Sequence, residues 1–206
     1  MKPILLAFIL FVSLNAVGQN KYEAGMKKAF DLWEEDKLTE AANLFERISK
    51  AEPDNWLPPF YAGYISVLSS FDIKDETQHK SQLDKAKDLL NTAANISPDN
   101  PEIIIAKALH NTSYINFDGQ KYGMLLSGKN TALYNKALKL APDNPRVILG
   151  KAEWDMGMAR YFGSSVEPYC KDVKKALDLF EQQSQNNTFE PSWGKERAEQ
   201  VLETCK

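Results

Sequence analysis

From residue 22 onward, apolar and small residues recur three and four positions apart, with polar residues between them. Ala41, Phe45 and Ile48 follow this spacing, as do Ala86, Leu90 and Ala93, then Tyr134 and Ala137, then Ala176 and Phe180. This is the period of a helix with one buried stripe. Three of these runs end at the same punctuation: Pro53-Asp54-Asn55, Pro98-Asp99-Asn100 and Pro142-Asp143-Asn144, spaced 45 and 44 residues apart. Proline cannot continue a helix and restricts the residue before it to extended backbone. Asp and Asn then bond the local backbone and cap a following helix. Pro101 and Pro145 come next in two of the copies, at the first-turn position where the missing N–H is harmless. Each copy stops one helix, turns and starts another. A fixed period of this size predicts an all-α repeat protein built from helical hairpins.

The first unit sets the register. Counting back from Pro53 as position 32 of a 34-residue unit puts small residues at Ala29 and Ala41, and large ones at Leu32, Phe45 and Ile48. Small residues let two antiparallel helices approach, and large ones fill the gap between them. This stretch resembles the tetratricopeptide-repeat (TPR) family. The resemblance implies a right-handed solenoid of antiparallel helix pairs, with units at about 22–55, 56–100, 101–144 and 145–190. A capping helix at 192–205 closes the last unit, with Ser192 as its N-cap and Trp193 as an anchor. In the second unit Gly63 takes the small position. In the third, Asn130 replaces one small residue. The second and third units exceed the standard length by 11 and 10 residues. The excess is expected in lengthened turns within each helix pair, around 69–82 and 114–129, with a further extension at 161–170 in the fourth.

First helices line the concave side of a TPR stack. By family position that side includes Met26, Phe30 and Trp33, then Phe60, Tyr64 and Val67, then Ile105, Leu109 and Thr112, and finally Arg146, Glu153 and Met156. The partner-binding residues this implies are Phe30, Trp33, Phe60, Tyr64, Leu109, Arg146 and Glu153. The Lys and Asn clamp with which some TPR proteins hold a C-terminal carboxylate is absent, since Met26, Phe30, Phe60 and Tyr64 stand in its places. Two arrangements of this face follow: an open groove, or a face buried by the lengthened turns. The pairs and triplets Asn144-Pro145-Arg146, Phe162-Gly163 and Trp193-Gly194 are also similar to those of a group of exported bacterial repeat proteins. That likeness implies an envelope location and supplies no reaction.

The start of the chain reads differently. Lys2 precedes an apolar run from Ile4 to Val12, and small Ala16 and Gly18 stand at the −3 and −1 positions of a cleavage site. This pattern predicts a secretory signal peptide over 1–18, leaving 19–206 as one helical domain, exported to the periplasm or beyond. No later segment is apolar enough to span a membrane. Of 206 residues, 43% are hydrophobic and 26% charged, with a net charge of −3. This is globular composition, and its weak acidity argues against nucleic acid as a partner. Export permits a disulfide. Cys170 starts the second helix of the last pair and Cys205 ends the next helix, so an antiparallel arrangement brings them together as a predicted bridge.

Candidate chemistry is sparse. His79 and His110 fall in different units, which is not zinc spacing. No nucleophile elbow, phosphate-binding glycine loop or Cys-x-x-Cys occurs. His110, Glu153 and Arg160 are the nearest approach to a catalytic group. The expectation is therefore a non-catalytic scaffold, without metal or cofactor, that holds a protein or peptide in the cell envelope. The alternative is a carrier of a small apolar ligand, with the groove roofed by Tyr114, Phe117, Tyr122, Tyr161 and Phe162 from the extended turns.

Overall fold

The computed structural model describes residues 21–183 and 189–205. The proposed leader at 1–18 lies outside the described residues. Among the described residues there are nine helices and no strand. Helix α1 covers residues 21–34. It is followed by α2 (Leu38–Ala51), α3 (Leu57–Ser70), α4 (Glu76–Ile96), α5 (Pro101–Phe117), α6 (Gly119–Leu140), α7 (Pro145–Tyr161), α8 (Glu167–Gln182) and α9 (Lys195–Glu203). Helix α3 packs on both α2 and α4, α5 on α6, and α7 on α8, while direct α3–α5 and α5–α7 contacts place these first helices in one row. The architecture is an all-α, TPR-like helical repeat.

The repeated turns work through their asparagines. Asn55 Oδ1 accepts from the Leu57 N–H at 3.0 Å, and Asn100 Oδ1 from the Glu102 N–H at 3.0 Å. Asn144 Oδ1 accepts from both Arg146 N (2.9 Å) and Val147 N (3.2 Å). These bonds satisfy N–H groups that the first helical turn leaves unpaired. Pro101 and Pro145 occupy the first helical position, as expected from their rigid φ. The small positions are where helices meet closely. A Cβ on Gly63 would lie 2.9 Å from Leu90 Cγ, and Ala29, Ala41, Ala86, Ala93 and Ala137 are fully buried. Asn130, the odd member, is also fully buried and donates to Thr112 Oγ1 at 3.0 Å.

The extra residues of the middle units are mostly helix rather than turn, which corrects the expectation of long loops. Helix α4 has 21 residues and α6 has 22, against 14 in α2. Asp118 is at once the C-cap of α5 and the N-cap of α6, accepting from Lys121 N at 2.9 Å. A single capped residue thus replaces the loop, and the pair lengthens along its own axis. At 1.5 Å per residue, the front of α6 runs past the core. Met124 is 95% and Leu125 63% exposed there, and the first buried residue of α6 is Asn130.

The capping helix is shorter than expected, beginning at Lys195 rather than near 192. Gly194 precedes it with φ of 117°, a left-handed backbone that glycine adopts without a Cβ penalty, and Ser192 makes no cap bond. Ala198 and Val201 of α9 bury against Ile148, Ala152, Val173 and Phe180, covering the open face of the last pair.

Cys170 and Cys205 are joined in a disulfide, with Cα atoms 5.9 Å apart and a sequence separation of 35. It fastens the end of α9 to the start of α8. Loop-closure entropy for this span sets an upper expectation of about 3–4 kcal/mol. The Cys170→Ser/Cys205→Ser variant should therefore unfold at lower urea, with amide exchange accelerated first in α9. An unchanged midpoint and unchanged exchange would show that the bridge contributes nothing to the closure.

Candidate functional site

The concave face is filled by the chain itself. Residues 189–194, between α8 and α9, return across the stack to the first two helix pairs. Tyr61 Oη donates to the Phe189 carbonyl at 2.7 Å, a contact spanning 128 residues. The Phe189 ring stacks on Phe30 (6.0 Å) and meets Tyr22 edge-on (5.7 Å). Trp193 stacks on Tyr64 at 4.6 Å. Gly194 is pressed between Phe180, whose Cζ would stand 2.6 Å from an added Cβ, and Arg146, 3.5 Å away at Cγ. This strap carries the last unit onto the first. The lengthened units do not cover the face.

Arg146 lies beneath the strap. It is 6% exposed, as is Glu102. Its Nε donates to both Glu102 carboxylate oxygens (2.9 and 3.0 Å), and its Nη1 donates to Gln183 Oε1 at 3.1 Å. Asn144 Nδ2 also donates to Glu102, at 2.6 Å. The guanidinium carbon sits 5.8 Å from the Trp193 ring centre. One ion pair thus ties the starts of α5 and α7 to the end of α8 and to the strap.

Strap, pair and first unit together enclose a half-open basin of about 1290 Å³. Its walls carry Phe30, Trp33, Trp56 and Trp193, with Asn100, Glu102, Asn144 and Arg146 between them and Glu34, Glu190, Lys195 and Glu196 also lining it. Partial burial, and repulsion from Glu102, push the Glu190 carboxyl above its usual range, with Arg146 pulling the other way. Trp193 Nε1 is buried without an acceptor among the described residues.

Of the residues expected to bind a partner, the structure brings Phe30, Trp33 and Arg146 to this basin and leaves the others elsewhere. Phe60 is fully buried and Tyr64 is 8% exposed under Trp193. Neither has surface to offer, so the reading of them as anchors is corrected: α3 is buried nearly all round. Leu109 packs against the core of the first two units. Glu153 pairs with Arg197 of α9 at 2.6 Å. The sequence reading missed Trp56, Glu34, Glu102 and Glu190. The Asn55-Trp56 and Glu190-Pro191 steps look like ordinary turn chemistry, and only the return of the strap makes them neighbours. The aromatics expected to roof the groove do not line the basin. Tyr161 and Phe162 are 77% and 70% exposed, while Tyr114 and Phe117 pack around the histidines.

Both histidines are buried. His110 Nε2 lies 3.0 Å from the Leu83 carbonyl, to which it donates. His79 stacks on Phe117 at 4.2 Å and reaches Ser113 Oγ at 3.0 Å, which lies 2.7 Å from Ser70 Oγ. Ser70 spends its proton on the Val67 carbonyl (2.6 Å). Ser113 therefore donates to Ser70, and His79 donates to Ser113. A histidine that donates to a serine does not activate it as a nucleophile. His110, Glu153 and Arg160 do not converge, because Arg160 is engaged with Thr204 at 3.2 Å while Glu153 holds Arg197.

Two predictions arise from these buried groups. Arg146→Gln leaves Glu102 buried without its cation and should cost about 3–5 kcal/mol. The Glu102→Leu/Arg146→Met double variant should recover most of that loss in urea unfolding. Equal losses in single and double variants would show that packing, not charge, dominates. Burial lowers the pKa of His110 and of His79, the latter also through the charge of His110. A depressed pKa means the unfolded chain binds protons first, so their contribution is complete above about pH 6.5 and is lost as pH falls below it. His79→Gln/His110→Gln should flatten the stability slope between about pH 7.5 and 5.5. A slope as steep as in the parent would assign it to other groups.

No protein-family model and no curated protein matches this chain. Among solved structures, the chain is similar to the HusA haemophore from Porphyromonas gingivalis. That alignment covers 89% of this chain and 92% of that one, with 20% identity and a TM-score of 0.79. A thermophilic TPR protein from Thermus thermophilus aligns over 89% of this chain and 98% of its own, with 15% identity and a TM-score of 0.44. The chain thus carries an all-α, TPR-like helical-repeat fold that at least one solved protein of unrelated-looking sequence shares over nearly its whole length.

Proposed function

We propose that this protein is a non-catalytic scaffold that holds a segment of another protein in the basin enclosed by the strap, the Arg146–Glu102 pair and the first unit. The observation that carries this reading is the basin's form. It is half-open, larger than the roughly 300–1,000 Å³ of typical small-molecule pockets, and walled by three tryptophans together with Phe30 and Phe180. Half-exposed tryptophans are the side chains on which interface energy concentrates. Phe189 and Trp193 pack over Phe30, Tyr61 and Tyr64, which favours this basin over the whole groove as the partner's place. The leader-like residues 1–18 and the disulfide support an exported protein working in the envelope. Among the described residues, no helix is long and apolar enough to cross a membrane.

A second reading, the carrier of a small apolar ligand, draws on the haemophore that shares the fold. Haem iron is held in proteins by His, Cys, Met or Tyr, and none of these lines the basin. A small ligand there would be held by stacking and by the polar side chains of the wall rather than by an iron ligand.

A photo-crosslinking residue placed at Trp56 or Lys195, at the basin, should capture a discrete protein in the native envelope. The same residue at Met124, on the exposed front of α6, should not. Capture from Met124 alone would remove the basin from the reading. No protein capture from any position, with haemin quenching the tryptophan fluorescence, would move the site to the carrier.

A further inference from the structure

The basin's chemistry specifies its occupant more narrowly, on the footing that the scaffold reading holds. Arg146 is nine-tenths buried, and its donors are only partly used. Nε is committed to Glu102 and Nη1 to Gln183, while Nη2 has no partner among the described residues, and Arg146 is one of the residues that line the basin. A guanidinium in the wall of a basin, with a donor left over, suits an acceptor brought by the occupant. That acceptor is a neutral carbonyl, because Glu102 already balances the Arg146 charge and a second carboxylate would meet Glu102 as well. The remaining charge is negative. Glu34, Glu102, Glu190 and Glu196 line the basin against Arg146 and Lys195. Glu102 and Glu196 stand in the first turns of α5 and α9, where they complement the positive helix ends. Lys195 has Glu181 at 3.7 Å. Glu34 and Glu190 have no ion-pair partner among the described residues, and they share the basin with Trp33, Trp56 and Trp193. Tryptophan faces are the best aromatic partners for ammonium and guanidinium groups.

We infer that the basin takes an extended, basic peptide segment. A backbone carbonyl of the segment accepts from Arg146 Nη2, and a Lys or Arg side chain lies against the tryptophans with its charge balanced by Glu34 and Glu190. The Glu190 carboxyl is held above its usual range by partial burial and then by the charge of Glu102, and a cation laid beside it would relieve both. An extended segment suits the site for a second reason. Its unpaired carbonyls are available to a fixed donor, whereas those of a helix are spent internally.

The test uses the whole mature chain and three blocked hexapeptides in which Leu alternates with Lys, with Ser or with Glu. Binding is read by calorimetry and by tryptophan fluorescence, to which three of the four tryptophans contribute from the basin. The Lys peptide should bind at least tenfold more tightly than the Ser peptide, the Glu peptide should bind least, and the preference should shrink as salt is raised. Glu34→Gln/Glu190→Gln changes two basin carboxylates without touching the buried pair. It should weaken the Lys peptide by roughly three- to tenfold and leave the Ser peptide and the melting temperature unchanged. Equal binding of the Lys and Ser peptides, or a Lys affinity indifferent to the variant, overturns the basic-segment proposal and leaves the scaffold reading standing. Failure of all three peptides to bind overturns both.

Discussion

The contact on which the arrangement turns is the buried guanidinium of Arg146. Desolvating a charge costs several kcal/mol, and the Glu102 carboxylate offsets this only in a geometry that uses both oxygens and adds further hydrogen bonds. Here those bonds come from Asn144, Gln183 and the Glu102 partner itself, while the face of Trp193 lies alongside. Three stretches far apart in sequence must be in place at once: the start of α5, the start of α7, and the end of α8 with the strap that follows it. A buried pair of this kind adds little net stability over an apolar replacement, while the loss of one partner is costly. It fixes how the third and fourth helix pairs sit on each other and where the chain turns back.

The strap changes what a helical repeat offers to a partner. A stack of hairpins ordinarily presents a continuous inner row of first helices. In this chain Phe189 and Trp193 enter that row and take up a ring face of Phe30, a ring face of Tyr64 and the hydroxyl of Tyr61. The disulfide holds α9 against α8, so the strap is anchored at both ends. What remains open is the basin at the edge where α5 and α7 begin. Its walls come from the second half of α1, the starts of α5 and α7, the end of α8 and the strap. The lengthened α5–α6 pair serves a different surface, carrying Met124 and Leu125 away from the core.

Much of the fold was legible because its signals are local. The three Pro-Asp-Asn turns, the small residues at Ala29, Ala41, Ala86 and Ala137, and the position of Cys170 in the first turn of a helix all act through neighbours a few residues away. The same locality misled the reading of the middle units. A surplus of ten residues looks like a loop when counted against a fixed repeat, yet Tyr114 to Lys129 continue the helical period, and one Asp118 caps the helix that follows. Phe60 and Tyr64 were read as surface from their positions in the repeat. Burial depends on what lies over a position, and here that is Trp193, 129 residues beyond Tyr64.

Helix period, capping and proline chemistry are properties of short stretches, so the helices, their order, their antiparallel pairing and the bridge between the last two follow from the residues. The tertiary structure alone decided that the chain closes on its own inner face, that Arg146 and Glu102 meet, and that Trp33, Trp56 and Trp193 share one basin. Those facts depend on the accumulated stacking of four helix pairs. Small rotations at each interface add up along the stack, and no local pattern records their sum.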